Sequence, residues 1–517
     1  MKILVRLPNW LGDMVMSVAF IYELQRQYPG AAISVIAKKG IHDLLSFFPS
    51  TKHQFIFSKD EYKGLPGLMR FGRMIRKTES FDLFFCLPDS FSSALMGYAT
   101  GAKKRIGFKN EFRGLLMTHT YQRPKGLHRV TQYVSLIQFF SKQKLGDPMV
   151  LLQHGVERKN SIVVNINSEA SSRRFTIAKA IEILNALRKA SALPIMLIGA
   201  PKEKSFVEEV FNKLDRKDNI YNLAGTTNLS ALIELLASAS ILLTTDSGPA
   251  HVANALGTHT VVLFGAGNEN NTAPYNSNRT IIRLNKLGCE PCLKNACKLY
   301  EVPQCLQQLD SSFIISQVKK IHVNQFMDKT FFEQEVEEAL EVLRSGGIIL
   351  YPTDTIWGIG CDAMNKEAVK KIFSVKQRED SKSMIVLVSN ERDIIRYVAA
   401  PDLHVFDFIQ EQIRPTTIVF ENGLGFPDNL LAADGSIAIR IVQDDFCRHL
   451  VKRLRSPIVS TSANISGEAS PKNFTEISAK IKTAVDHVVK WRQDDMQSSL
   501  PSQVIKWKDG KPVFIRS

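Results

Sequence analysis

Cysteine is scarce in this 517-residue chain and long apolar runs are missing altogether. Seven cysteines are too few for a disulfide framework in a chain of this size. No window approaches the uninterrupted run of about 18 apolar residues needed to cross a bilayer. The opening MKILVRLPNWLGD breaks its short strand-like run at Arg6 and Pro8, and it lacks the apolar stretch and small-residue cleavage site of a signal peptide. A cytoplasmic protein with no transmembrane segment is the expectation. Also missing are an arginine-rich arm, a basic tail, any low-complexity tract and any internal repeat.

What is present is a large basic excess. Formal net charge is +15, dispersed over the chain with only short clusters such as Lys103-Lys104-Arg105 and Lys452-Arg453. Such a surface favours phosphate-bearing partners, whether small anionic substrates, a phosphorylated lipid surface or RNA. The length exceeds what one core organises, so three domains are expected.

Four of the cysteines cluster. Cys289, Cys292, Cys297 and Cys305 combine a CxxC with a Cx4C and a fourth thiol eight residues on. That set could hold zinc tetrahedrally. Only one CxxC knuckle is present where a zinc ribbon has two, so structural or redox thiols remain the competing reading.

Periodicity places an α/β chain. Residues 3–5 read as a buried strand, followed by a loop rich in turn formers, a helix from 14 to about 27 stopped by Pro29-Gly30, and a strand at 32–37. A βαβ unit of this kind demands a parallel sheet with helices on its faces. Further strands are expected at 83–87, 162–166, 194–198, 241–244 and 260–264. Two successive Rossmann-like domains, 1–155 and 156–325, fit this alternation, the second carrying the cysteine cluster at 289–305. A helix at about 311–321 closes that region. The unpatterned stretch 323–330 reads as a hinge. A third domain, 331–517, then starts with an amphipathic helix at 333–344, a Gly346-Gly347 stop and a strand at 348–351, with another at 437–441.

Two sets of motifs carry chemistry. In the last domain, YPTDTIWGIGCDA at 351–363 is followed by Lys376-Gln377-Arg378 and by STSANISG at 460–467. Lys376 and Arg378 supply cations that neutralise phosphate. Ser460, Thr461, Ser462 and Asn464 supply small polar groups that let backbone approach it. Alone, each has a bland reading as a solvated helix end or a capping turn. In the first part, Gly12-Asp13 follows the first strand, at the carboxyl edge where open α/β sheets bind ligands. Asp13 is a general base or a helix cap. TTDSGPAH at 244–251 follows another strand, where helix-start amides can cradle a diphosphate; an Asp cap with a satisfied His is the alternative.

In their order and co-occurrence, PTDT, KxR and SxN make residues from about 335 to 517 resemble the YrdC-like family of threonylcarbamoyl-AMP synthases. The resemblance implies that L-threonine, bicarbonate and ATP, with Mg²⁺, are combined to threonylcarbamoyl-adenylate and diphosphate for tRNA modification, alongside tRNA-modification partner proteins. It implies threonine contacts from Thr355, Arg440, Ser462 and Ser502. ATP contacts would come from Lys376, Arg378, Ser436, Asn464, Lys472 and Arg516, with Lys376 and Arg378 neutralising charge in the reaction. Cys361 reads as packing. The chain departs from the family at Glu379, where Pro is common, at Ser383-Met384 for Pro-Leu, and at Leu387 for a His. Ending at Ser517, it is expected to lack the extra domain of longer members.

Residues 1 to about 325 resemble the ADP-heptose:lipopolysaccharide heptosyltransferases of glycosyltransferase family nine. The carriers are MKILVRLPNWLGDMVMS, CLPDSFSSAL at 86–95, Arg173-Arg174-Phe175, and TTDSGPAH with Gly265 beyond it. The resemblance implies a GT-B pair of Rossmann-like domains, followed here by the YrdC-like α/β domain with its twisted open sheet. It also implies inverting transfer without an obligatory metal, Asp13 as the catalytic base, and ADP-heptose with a lipopolysaccharide-type acceptor at the inner membrane surface. Arg173, Asp246, Ser247, Gly248 and His251 would bind the sugar nucleotide. Relatives often carry Lys at Arg173. A bifunctional enzyme is the leading reading. A C-terminal RNA-binding module joined to a non-catalytic sugar-nucleotide scaffold is the alternative, separated by threonine- and bicarbonate-dependent diphosphate release.

Overall fold

The structure is a computed structural model. It describes residues 1–377, 384–410, 412, 414–495, 501–508 and 510–516, with the side chains of Glu111 and Phe326 left out. Contacts divide the chain into two units, Met1–Val323 and Asn324–Ser517.

The first unit holds two six-stranded parallel sheets. One comprises β1 (Lys2–Arg6), β2 (Ala32–Lys38), β3 (Gln54–Phe57), β4 (Leu83–Cys86), β5 (Lys104–Phe108) and β6 (His119–Tyr121), in the order β3-β2-β1-β4-β5-β6. The other comprises β7 (Ile162–Asn165), β8 (Ile195–Leu197), β9 (Ile220–Asn222), β10 (Ile241–Thr245), β11 (His259–Phe264) and β12 (Arg279–Arg283), in the order β12-β11-β10-β7-β8-β9. Both are the doubly wound Rossmann order, whose chain reverses direction between the first and fourth strands.

Side-chain alternation shows why. On β1, Ile3 and Val5 enter one apolar cluster with Val18 and Ile21, while Leu4 enters another with Phe71 and Phe84. A strand covered on both faces has no polar side, hence the unbroken Ile-Leu-Val run. On β10 the same split sends Leu242 one way and Ile241 and Leu243 the other.

The second unit is built on a nine-stranded mixed sheet. Its strands are β13 (Ile349–Tyr351), β14 (Gly358–Asp362), β15 (Ile385–Val388), β16 (Thr416–Phe420), β17 (Ile437–Ile441), β18 (Ile458–Ser462), β19 (His487–Val488), β20 (Gln503–Lys508) and β21 (Lys511–Arg516). The order is β19-β13-β14-β18-β15-β17-β16-β20-β21, a twisted sheet with two free edges. The α/β class and the GT-B-like and YrdC-like sheets are as expected.

Two expectations are corrected. No hinge interrupts residues 323–330: the backbone is helical from Ser311 to Arg344, and the division between units falls inside that helix. Neither Gly nor Pro occurs between those positions, so nothing halts propagation although the apolar pattern lapses. Ile314, Ile315 and Val318 enter the first unit's core, and Val336, Leu340 and Leu343 the second's. The helix stops where Gly346 turns to φ 75° and the Gly347 amide donates to the Val342 carbonyl at 2.8 Å. In addition, the helix expected at 14–27 is two, Leu11–Met16 and Val18–Gln27. No helix among the described residues is long and apolar enough to cross a membrane.

Candidate active sites

In the first unit, both motif segments leave their strands at the chain-reversal point of a sheet. Asp13 lies in the first turn of the helix Leu11–Met16, directly after β1, whose neighbours are β2 and β4. It does not cap that helix: the cap position is Trp10, and no side chain bonds there. One carboxylate oxygen of Asp13 instead accepts from the Tyr133 hydroxyl at 3.1 Å. Burial, and then the Asp13 charge, push the Tyr133 phenol well above its ordinary range, so it stays protonated and donates.

The second segment follows β10, which lies beside β7 and β11. The cap of the helix Gly248–Ala255 is Ser247, not Asp246, and its hydroxyl makes no capping bond. It is held by Asn165 Nδ2 at 2.9 Å and Thr244 Oγ1 at 3.0 Å, so no cap side chain occupies the first-turn amides. Asp246 is buried and pairs with Arg173 Nη1 at 3.1 Å. Burial raises the Asp246 carboxyl and Arg173 works against that rise.

The two segments meet. A Cβ built on Gly12 would come 2.7 Å from His251 Cδ2, and one on Gly248 would come 3.1 Å from a Leu11 methyl. Only glycine admits the imidazole so close to the residue preceding Asp13. His251 is buried, its Nδ1 has no partner among the described residues, and burial brings its pKa down to about 4. At neutral pH it is an uncharged ring with one open nitrogen. Sequence reasoning missed Tyr133 and Asn165; only the latter left a trace, as a polar residue closing an apolar strand.

In the second unit, seven of the predicted positions converge. Thr355, Arg440, Ser460, Thr461, Ser462, Ser502 and Arg516 share the wall of one cavity of about 370 Å³. Ser462 is the last residue of β18, so the STS run belongs to the strand rather than following it. Thr355 is placed by Thr353, whose hydroxyl accepts from the Thr355 amide at 3.0 Å and meets its hydroxyl at 3.0 Å. Ser502 Oγ lies 2.8 Å from Thr417 Oγ1. Arg516 donates from Nε and Nη2 to the Ser502 carbonyl at 3.2 and 2.9 Å. Its guanidinium pKa is lowered by burial and then by the like charges of Arg440 and Arg414.

Arg440 is buried and half used. Nη2 stands 2.9 Å from Asp354 Oδ1, while Nε has no partner among the described residues. Asp354 also accepts from the Gln443 amide at 3.3 Å. Asp354 lies inside the PTDT motif, but its pairing with Arg440 was not legible from spacing.

Lys376, Asn464, Ser436 and Lys472 do not line that wall. Lys376 ends its helix buried, and its ammonium donates to the Ser462 and Asn464 carbonyls at 2.5 and 2.7 Å. It thus holds the SxN strand end rather than facing the cavity. Asn464 Nδ2 donates to the Ile465 and Glu468 carbonyls. Ser436 is buried beside Asp434, and the Lys472 amide donates to Glu476. Arg378, Glu379 and Ser383 lie outside the described residues. Cys361 is fully buried, and burial drives its thiol far above the ordinary range, which fits packing rather than chemistry. The four clustered cysteines line a second, much smaller cavity in the first unit.

Two family profiles match the chain. Glycosyltransferase family 9 (heptosyltransferase) matches residues 68–302, and the Sua5/YciO/YrdC family, described as telomere recombination, matches residues 341–517. Lipopolysaccharide heptosyltransferase 2 of Escherichia coli is 30% identical over 308 residues, covering 55% of this chain and 88% of that protein. A Methanocaldococcus jannaschii protein provisionally named threonylcarbamoyl-AMP synthase is 34% identical over 188 residues, covering 36% of this chain and 87% of its own. The solved structure of Escherichia coli ADP-heptose lps heptosyltransferase II shares the fold, with a TM-score of 0.54 at 24% identity over 63% of this chain and 99% of that one.

Proposed function

The chain belongs to glycosyltransferase family 9 over its first part and to the Sua5/YciO/YrdC family over its last, and from that premise we propose one polypeptide with two working active sites. The first is an inverting heptosyltransferase acting from ADP-heptose on a lipopolysaccharide-type acceptor at the inner membrane surface. Residues 1–155 form its acceptor side and 156–325 its donor side. The second, residues 331–517, makes L-threonylcarbamoyl-AMP from L-threonine, bicarbonate and ATP in the cytoplasm, for tRNA modification.

The observation that carries the second activity is the meeting of Thr355, Arg440, Ser462, Ser502 and Arg516 on one cavity. Among the described residues its wall offers hydroxyls and guanidinium groups and no carboxylate, which suits a substrate carboxylate and phosphates. Mg²⁺ would be held by the ATP phosphates and would supply charge neutralisation there. The free fork of Arg440 takes the threonine carboxylate. Carbamate forms on the threonine nitrogen with loss of water from bicarbonate. A carbamate oxygen then attacks the α-phosphorus, the bond to the bridging oxygen breaks, and diphosphate leaves. Catalysis is positioning and charge neutralisation. Lys376 contributes by fixing the Ser462–Asn464 backbone, and Arg378 is assigned to ATP from its motif alone.

For the first activity the carrying observation is the closeness of the Asp13 turn to His251. Asp13, oriented by Tyr133, takes the proton of the acceptor hydroxyl as that oxygen attacks the anomeric carbon from the face opposite the leaving ADP. Arg173 and the amides after Ser247 take the diphosphate. Because Arg173 rests on Asp246, donor binding has to share or exchange that pair.

The test uses one purified full-length chain. ADP-, GDP- and UDP-sugars are offered with a lipopolysaccharide-type acceptor, and diphosphate release from ATP is followed with threonine and bicarbonate each withheld in turn. ADP release from ADP-heptose, together with diphosphate release needing both co-substrates, supports the proposal. Release of diphosphate without threonine removes the second activity, and failure of every donor removes the first.

A further inference from the structure

Residues 284–303 join β12 to the short helix Gln304–Gln307 without a strand or helix of their own. An irregular stretch of this length inside a packed unit needs another restraint. It carries Cys289, Cys292 and Cys297, and Cys305 follows in the helix. All four line one cavity of about 20 Å³, room for a single water-sized occupant. Glu290, Tyr300 and Gln304 share that wall, and among its groups a thiophilic metal would find four of its preferred ligands.

We infer that Cys289, Cys292, Cys297 and Cys305 form a tetrathiolate site for one zinc or iron ion, and that loading it braces the Arg173–Asp246 pair. The hydrogen bonds of the cysteine loop run to neighbours of both partners. Between the second and third cysteines, the Lys294 carbonyl accepts from Ser172 Oγ at 2.5 Å and the Asn295 carbonyl accepts from the Ser172 amide at 3.2 Å, next to Arg173. On the other side the Leu293 amide donates to the Ala266 carbonyl at 2.9 Å. Arg283, 3.4 Å from Glu290 of the loop, donates to the carbonyls of Gly265 and Gly267. Gly267 in turn abuts Asp246, where a Cβ would fall 2.2 Å from Oδ2.

The thiols sit more openly than a closed ligand set. Among the described residues, the group whose ligand atoms already lie within 4.8 Å of one another is Glu335, Glu338 and His487. The Lys490 ammonium stands 3.8 Å from each of those carboxylates, so that group is an ion-pair network. Metal–sulfur bonds of about 2.3 Å would draw the four sulfurs inward, and a loop without regular structure permits the movement. Binding releases the thiol protons to solvent, so loading is favoured as pH rises.

The metal site stands on the cysteines alone; the bracing rests on the family 9 reading. Full-length chain, produced with zinc and iron supplied and purified under reducing conditions, is expected to carry about one ion. Cys292→Ser and Cys297→Ser should each cut that to under a tenth. Chelation should expose reactive thiols, and cobalt substitution of the unaltered chain should give the visible bands of tetrahedral thiolate coordination. Chelation should also raise the donor KM severalfold and leave threonine-dependent diphosphate release unchanged. Metal below a tenth of an equivalent in the supplied protein, metal retained in the double serine variant, or cysteines paired as disulfides would each overturn the site. An unmoved donor KM beside full metal content overturns the bracing. If no donor is turned over, the glycosyltransferase reading fails while metal content still decides the site.

Discussion

Replacing Arg440 by Lys isolates the step that distinguishes the second active site. Truncation to Ala would be uninformative, because Asp354 is only 9% exposed and would lose its ion-pair partner. Removing one member of a buried pair costs about 3–5 kcal/mol, enough to unfold the unit rather than inform on substrate. Lysine keeps the positive charge beside Asp354 but has a single nitrogen where Arg440 has a fork, one side of which is unpartnered among the described residues. The loss is therefore about one hydrogen bond to a charged group, worth about 1.5–3 kcal/mol. At about 1.4 kcal/mol per factor of ten, kcat/KM for threonine should fall by about 10- to 100-fold.

The loss should appear in the threonine KM, because the carboxylate is held equally before and during the reaction. The KM for ATP should move by less than a factor of about two, and the thermal midpoint of the second unit should hardly change. The assay is diphosphate release at fixed bicarbonate, with threonine and ATP varied separately. An unchanged threonine KM, or a shift confined to ATP, would show that Arg440 does not hold the amino acid.

Four further outcomes concern the first unit. Asp13→Asn should abolish sugar transfer with donor binding retained by calorimetry. Tyr133→Phe should lower kcat about tenfold with the donor KM unchanged, since it removes only the 3.1 Å bond that orients the carboxylate; turnover unaltered in Asp13→Asn would remove this residue from the mechanism. His251 binds its proton near pH 4 in the fold against about 6.5 when unfolded, so the unfolded state takes up more protons between those values. Its contribution is complete above about pH 6.5 and declines as pH falls toward 4, by about 3 kcal/mol in total. Urea unfolding of His251→Gln should accordingly depend less on pH across that window than the unaltered chain does. Gly12→Ala would drive a methyl to 2.7 Å from His251 Cδ2; urea midpoints should report a loss of about 1–3 kcal/mol, and an unshifted midpoint would mean that the two segments do not touch.

What the sequence could and could not reveal follows from where each residue's partners lie. Central strands such as β1, β4, β7 and β10 are buried on both faces, so their apolar runs are continuous and readable. Five strands of the first unit escaped: β3, β6, β9 and β12 are sheet edges and β5 is next to one. Edge strands are covered on fewer sides, and β5 and β12 begin KR and RT, which reads as surface charge. The helix through 323–330 escaped for a related reason: Val323 and Met327 are exposed, so no apolar periodicity marks the helical backbone between two cores.

Site residues divide the same way. Glycine, Asp and Ser-Thr punctuation at strand ends was legible because sheet topology alone delivers those ends to the chain-reversal point. Tyr133, 120 positions from Asp13, and the pairing of Arg440 with Asp354 were not, because each is created by packing between distant segments. Lys376 is the most instructive case. Motif chemistry identified a cation close to a phosphate-type loop, but a lysine at a helix end can neutralise either a ligand or the carbonyls that shape the loop. Only the 2.5 and 2.7 Å contacts to Ser462 and Asn464 decide between them. Two charges in one KxR motif therefore need not share one role, and Lys376→Met should disturb the SxN strand end, and with it both substrates' KM values, where an ATP-facing lysine would disturb ATP alone.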